Sequence, residues 1–396
     1  MSGPLVLITG ITGFLAAHVL DAVLASPANY RVRGTLRSVN KKDAVLGRLS
    51  PEDRKRVEFV EVADTATSDL LPAVRGVEII HHVASPYQLN VKDAERDLLQ
   101  PAVEGTLNIC RFAKHEKSVK KIVITSSFAA VTSLKEGGPN RPGFTYTAEH
   151  WNPATYQDAI EAGGAGAFSY SVSKKLAEQA AWDYVANEKP GFEIATINPP
   201  MIYGPSLQPG VTLSNLNTSS KTIYGLVSSA DQMPEDRLPL FCHARDVGDA
   251  HVAATEKPNG MGRRYLLCGG KFTWAHAVKY IAEQYPDLEP RLPKAGRTPA
   301  PTCATLTQSP TSTPPRLNPS SASTSMTGRP RSRRPSTASF SSRRARAGTT
   351  EPALVAEACT VQRSHHQSKN CQDKSEIRGT KRVTTLTLLI ETEHAV

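Results

Sequence analysis

This sequence predicts an α/β fold, a doubly wound parallel sheet carrying a smaller C-terminal lobe, and three observations lead there. Short runs rich in Val and Ile alternate with segments of helical period through about the first 200 residues, the pattern of a parallel sheet covered by helices. A glycine turn joins the first such run to the first helix. Beyond residue 204 the alternation loosens and later recovers.

The predicted strands are 5–9, 30–36, 57–62, 78–83, 121–125 and 192–198, each short and bounded by turn formers, and their β-branched residues suit a buried pleated surface. Between them, 14–25 places Leu15, Val19, Leu20, Val23 and Leu24 on one helical face, while 93–115 and 171–187 are long enough to cross over a sheet. Helix and strand signals return at 244–255, 264–267 and 273–285, which predicts a smaller lobe over 204–293 added to a core over 1–203. From 294 to 396 the composition turns to Ser, Thr, Pro and Arg, and Phe340 is the single aromatic. Such a segment buries too little apolar surface to offset its ordering entropy, so a disordered tail is expected there.

The net charge of +10 raises the question of nucleic acid or a membrane surface, and its location answers it. Residues 296–396 hold 15 Lys and Arg against 6 Asp and Glu, and everything upstream is balanced to within one charge. A basic tail attracts nucleic acid in a salt-sensitive, non-specific way, so no specific nucleic-acid partner is expected. The six cysteines lack CxxC spacing, which implies neither a zinc site nor a disulfide framework. His81 and His82 are consecutive on a strand and point to opposite faces, so they do not share a metal; His251 reads as structural. The apolar opening is too short for a signal peptide, and no apolar run is long enough to span a bilayer. A cytoplasmic monomer or homodimer, without membrane or metal, is the expectation.

The stretch Gly10-Ile11-Thr12-Gly13-Phe14-Leu15-Ala16 lies at the first strand-to-helix junction. Gly10 allows the tight turn, Gly13 allows backbone to approach a pyrophosphate at the helix N-terminus, and Ala16 lets helix and strand pack closely. An acidic residue about 20 positions on would hold the ribose of NAD. None stands between Asp21 and Asp43; instead Arg37 closes the second strand and Lys41 and Lys42 follow. A guanidinium is shaped for bidentate phosphate contact, so Arg37, helped by Lys41, favours NADP(H).

A second constellation pairs Tyr170-Ser171-Val172-Ser173-Lys174, which opens a long helix, with Thr125-Ser126-Ser127 at the end of the fifth strand. Tyr170 and Lys174 are one turn apart and share a face. Strand ends at this edge of an open α/β sheet line the ligand crevice, so Ser127 can reach the same spot. Proton donation near pH 7 by a phenol whose free pKa is about 10 requires roughly 4 kcal/mol of phenolate stabilisation. A unit charge about 5 Å away contributes roughly 3 kcal/mol at an effective dielectric of about 20.

Six ordered motifs together resemble the extended short-chain dehydrogenases: Gly10 to Leu15, His82-Val83-Ala84-Ser85-Pro86, Thr125-Ser126-Ser127, Tyr170-x3-Lys174, Asn198-Pro199-Pro200-x2-Tyr203-Gly204-Pro205 and Arg245-Asp246-Val247. Within them the likeness is greatest to dihydroflavonol-reductase-like and fungal methylglyoxal-reductase-like aldehyde or ketone reductases, over about residues 5–293. The resemblance implies a Rossmann core and an NADPH-dependent reductase of a small-molecule carbonyl compound. It further implies that Tyr170 is the general acid, that Lys174 holds the nicotinamide ribose and lowers the tyrosine pKa, and that Ser127 polarises the carbonyl. Asp64 is similar to the family residue that meets the adenine, and Ala84 and Pro199 match backbone positions beside the cofactor. Ser85, Pro86, Phe128 and Tyr203 match pocket walls, although an aromatic after a strand more often serves packing. A nucleotide-sugar epimerase or dehydratase uses the same triad but needs basic groups for a diphosphate, and only Lys221 intervenes between Gly204 and Arg237. A non-catalytic NADP-binding scaffold or sensor is the other alternative, and the unusual tail gives it its weight.

Overall fold

Side-chain alternation along the first strand decides how the sheet is covered. In β1 (Leu5–Ile8) Leu5 and Leu7 join one apolar cluster while Val6 and Ile8 join another, because successive strand residues point to opposite faces. Both faces being apolar, helices must cover both. The computed structural model describes residues 3–85, 91–163, 166–228, 233–294 and 305–306.

In chain order the remaining strands are β2 (Arg31–Leu36), β3 (Val57–Glu61), β4 (Ile79–His82), β5 (Lys121–Thr125), β6 (Glu193–Asn198), β7 (Met201–Tyr203), β8 (Leu240–His243), β9 (Arg264–Leu266) and β10 (Gly270–Lys271). The principal helices are α1 (Phe14–Ala25), α2 (Gln100–His115), α3 (Gly166–Glu188), α4 (Thr218–Ser228), α5 (Ala244–Glu256) and α6 (Trp274–Gln284). Seven strands form one parallel sheet in the order β9-β6-β5-β4-β1-β2-β3. Leu15, Val19 and Leu20 of α1 and Val247 and Ala250 of α5 cover one face; Ile109 and Ala113 of α2 and Ala181 and Trp182 of α3 cover the other. This is the doubly wound architecture expected from the alternation. From β1 the chain adds strands on one side through β3 and then on the other through β4, so the crevice falls where the carboxyl ends of β1 and β4 lie side by side.

The structure departs from the sequence reading in three places. The segment expected to be one helix over 93–115 starts with a π-helical turn, Glu95–Leu99, before α2 begins. Pro101 explains the change: it has no amide to bond the Asp97 carbonyl, and the Gln100 amide reaches back to Glu95 O instead. Two runs expected in the smaller lobe belong to the large sheet: 244–255 forms α5, which packs beside α1 on one face, and 264–267 supplies β9 at the edge, paired with Thr196, Ile197 and Asn198 of β6.

The smaller lobe is drawn from both sides of β9 in sequence, with β7, α4 and β8 before it and β10 and α6 after it. Its three-stranded sheet has the order β10-β8-β7 and packs on α4 and α6 through Tyr203, Ile223, Leu226, Trp274 and Val278. Beyond residue 294 the described residues are Thr305–Leu306, which pair in parallel with Thr145–Tyr146; the tail expected over 294–396 otherwise lies outside the described residues. No helix among the described residues is long and apolar enough to cross a membrane.

Helix α5 lies against α1 at Gly248, where an added Cβ would stand 2.7 Å from the carbonyl oxygen of His18. Backbone cannot yield as a flexible side chain does. We therefore expect Gly248→Ala to cost about 1–3 kcal/mol through overpacking, read as a lower denaturant midpoint with an unchanged m value.

Candidate active site

The site is assembled from strand ends. Gly10 adopts a left-handed φ of 66° at the turn after β1, and a Cβ there would lie 3.1 Å from that of Ala84, which follows β4. Its amide donates to Thr35 Oγ1 of β2 at 2.9 Å, and the Gly13 amide closes the turn onto Gly10 O at 2.8 Å. Thr12 and Phe14 are half-buried, Gly13 is exposed and Leu15 is buried. The first turn of α1 has no side-chain cap and no acidic residue, so its amides are open to an anion, as a pyrophosphate site needs. Arg37 and Lys41 are exposed, and their side chains have no hydrogen bond or ion pair among the described residues. Nearby, Glu61 Oε2 accepts from the Val39 amide at 2.9 Å and ties down the loop after Arg37. The cradle free of Cβ atoms, the uncapped helix and the unengaged cations fit a phosphorylated dinucleotide.

Asp64 is exposed in the loop after β3, where its Oδ1 accepts from the Ala66 amide at 2.8 Å. Ala84 is fixed through Thr9, whose Oγ1 accepts from the amides of both Val83 and Ala84 at 3.0 Å. The Thr9 proton is then directed at His82 Nδ1, 3.1 Å away, which leaves the imidazole proton on Nε2.

Tyr170 and Lys174 meet as their spacing requires, with Lys174 Nζ 5.6 Å from the centre of the Tyr170 ring. Lys174 is buried, and its ammonium donates to Ser85 Oγ at 2.6 Å. Burial lowers its pKa to about 8. Ser127 follows β5 and caps a short helical turn, Phe128–Ala130, its Oγ accepting from the Ala129 amide at 3.1 Å. The backbone of this turn is held by Pro199, whose carbonyl accepts from the Phe128 amide at 2.8 Å, and α3 packs against it.

The candidate pocket walls divide. Ser85 is exposed beside Lys174, whereas Pro86 lies outside the described residues. Phe128 is buried edge-on against Tyr146, with centroids 5.1 Å apart. Tyr203 is buried among Phe241 and Phe272 in the lobe's aromatic core.

Several residues beside the site were not singled out from the sequence. Glu178, one turn beyond Lys174, is buried, and its carboxylate accepts from four side chains: Ser126 Oγ (2.6 Å), Thr196 Oγ1 (2.8 Å), Asn198 Nδ2 (2.7 Å) and Arg264 Nε (2.7 Å). The Asn198 amide group also donates to Ser127 O at 3.1 Å. Its i+4 spacing from Lys174 was the available signal, since it places a carboxylate on the reacting face.

Three buried histidines adjoin the strand ends. His82 is pushed down to about 4 by burial and then by the Lys174 charge, and His81 down to about 3 by burial. His251, whose Nε2 lies 2.8 Å from Thr125 Oγ1 and Nδ1 3.4 Å from His81 Nδ1, is held well below the usual range by burial and then by His81. His81 and His82 thus turn to different partners. Among the described residues no cluster of His, Cys, Asp or Glu has the makings of a metal site.

The sequence profile of an NAD-binding family described as male sterility protein matches residues 8–237. An uncharacterized oxidoreductase of Schizosaccharomyces pombe is 42% identical over 292 residues, spanning 72% of this chain and 84% of its own. The NADPH-dependent methylglyoxal reductase of Saccharomyces cerevisiae is 31% identical over 305 residues, 73% and 84% of the two chains. The crystal structure of the yeast methylglyoxal/isovaleraldehyde reductase complexed with NADPH superposes with a TM-score of 0.65 at 30% identity, covering 76% of this chain and 90% of that one.

Unfolded histidines titrate near 6.5, and these three take up protons in the folded chain only well below that. Below pH 6.5 the unfolded state therefore binds more protons, so stability is complete above that pH and is lost as the pH falls toward 4. The expected loss between pH 6.5 and 5.5 is about 1 kcal/mol for each histidine. Denaturant midpoints measured across that interval check it; a flat profile would contradict neutral buried imidazoles.

Proposed function

This chain belongs to the extended short-chain dehydrogenase/reductases, in the branch that holds the fungal methylglyoxal reductases, and from that premise we propose that it reduces small aldehydes or ketones with NADPH, using Tyr170, Lys174 and Ser127. The observation that carries the reading is the buried Lys174 ammonium against the face of Tyr170, one turn apart on α3.

The coenzyme, when bound, supplies a hydride to the carbonyl carbon. The chain's own residues do the rest. The turn from Gly10 to Gly13 and the open first turn of α1 hold the pyrophosphate, while Arg37 and Lys41 receive the 2′-phosphate, which NAD lacks. Asp64 would hold the adenine, and the backbone at Ala84 and Pro199 would hold the nicotinamide end. The Ser127 hydroxyl donates to the substrate oxygen. The Tyr170 phenol gives its proton to that oxygen as negative charge develops there, and the positive charge of Lys174 stabilises the phenolate left behind. Lys174 is suited to this because burial keeps the ammonium out of bulk water, which would otherwise screen its field. Arg37 and Lys41 as cations for a phosphate, with only Lys221 as a basic residue between Gly204 and Arg237, favour this reading over sugar-nucleotide chemistry.

Tyr170→Phe should lower kcat for methylglyoxal at least about 100-fold, with NADPH affinity, followed by fluorescence, within about threefold of the parent. Full activity in that variant would refute the mechanism. Arg37→Ser removes a charged donor to the phosphate, and the preference for NADPH over NADH in kcat/KM should fall between about ten- and a hundredfold. An unaltered preference would move the 2′-phosphate site elsewhere.

A further inference from the structure

Tyr170, Lys174 and Glu178 recur at intervals of four along α3, so all three lie on one face of the helix. The first two meet as described above, and the third turns its carboxylate into the protein, where it has no contact with water. A charge taken out of solvent at this depth is tolerated only with well-placed donors. Glu178 has four: Oε1 accepts from Arg264 Nε of β9 and Thr196 Oγ1 of β6, and Oε2 accepts from Ser126 Oγ and Asn198 Nδ2. Arg264 is itself pinned. Its Nη1 donates to the carbonyls of Ala148 and His150, and its guanidinium stacks 3.5 Å from the centre of the Trp151 ring.

Two of the four donors lead to Ser127. Ser126 is its chain neighbour, and Asn198 spends its second amide hydrogen on the Ser127 carbonyl at 3.1 Å. Glu178 therefore touches neither substrate nor coenzyme, yet it joins the helix that carries the tyrosine and lysine to the strand end that carries the serine. A buried ion pair of this kind adds little net stability over an apolar replacement, so stability alone is a poor reason for placing it here.

From this geometry we infer that Glu178 is a positioning residue, which through Ser126 and Asn198 sets where the Ser127 hydroxyl stands relative to Tyr170. The inference rests on Ser127 acting on the substrate carbonyl, as proposed above.

A double-mutant cycle on methylglyoxal reduction tests it. Ser127→Ala alone should lower kcat about 100-fold, and Glu178→Gln alone should lower kcat about tenfold or more while the Kd for NADPH stays within about twofold. Because both act through one hydroxyl, the double variant should be no slower than Ser127→Ala by more than about threefold. Multiplying effects, or a Glu178→Gln variant with parental kcat, would overturn the inference. Parental kcat in Ser127→Ala would instead refute the assigned role of Ser127, and the positioning role with it. Should Glu178→Gln not fold, because it leaves Arg264 without its counter-charge, Asn198→Ala takes its place in the cycle. That variant keeps the carboxylate–guanidinium pair and cuts the direct hydrogen-bonded link to the Ser127 carbonyl, one of the two links; additivity there has the same meaning.

Discussion

A carboxylate with no access to water demands donors from every direction, and that demand ties this molecule together. Glu178 draws at once on the residue after β5 and on β6 and β9, through Ser126, Thr196, Asn198 and Arg264. Each hydrogen bond has a narrow range of acceptable length and angle, so four of them on one group leave α3 little freedom to slide or rotate over the sheet. Packing of Ala181 and Trp182 against the strands supplies bulk attraction without such directional control. The polar cluster fixes position, and the apolar face fixes that there is contact at all.

The same division of labour runs through the nucleotide half. Hydrophobic burial on both faces of β1 produces the sheet, but Thr9, with two backbone amides donating to it and its own proton aimed at His82, sets the path of the chain leaving β4. Directed polar contacts stand at the carboxyl ends of the strands, where the crevice opens, and apolar contacts fill the middle.

Much of this was legible in the sequence because it is local. Strand and helix periods, the glycine turn and the Tyr170–Lys174 spacing each need only a few consecutive residues, and they located six of the seven strands of the large sheet to within a residue or two. What escaped depends on partners far apart in the chain. Arg264 lies 86 residues from Glu178, and nothing in a short Arg-Tyr-Leu run says that it belongs to the large sheet. The π turn ahead of α2 was also missed, because helical period alone does not register a proline's missing amide. Phe128 and Tyr203 illustrate the opposite difficulty: an aromatic after a strand reads the same whether it faces a ligand or, as here, other rings.

The placement of β9 has a consequence for how the protein is made. The strand follows β7, α4 and β8 of the smaller lobe in sequence yet completes the edge of the large sheet, with β6 as its neighbour. A chain emerging from the ribosome in order exposes Glu178 long before the guanidinium that neutralises it. Until residue 264 is synthesised, α3 can dock on the nascent sheet only with that carboxylate lacking its counter-ion, a state that favours an open, solvated helix. Assembly of the crevice therefore awaits a residue that lies outside it, and the last strand of the large sheet to arrive locks the first half of the chain into working order.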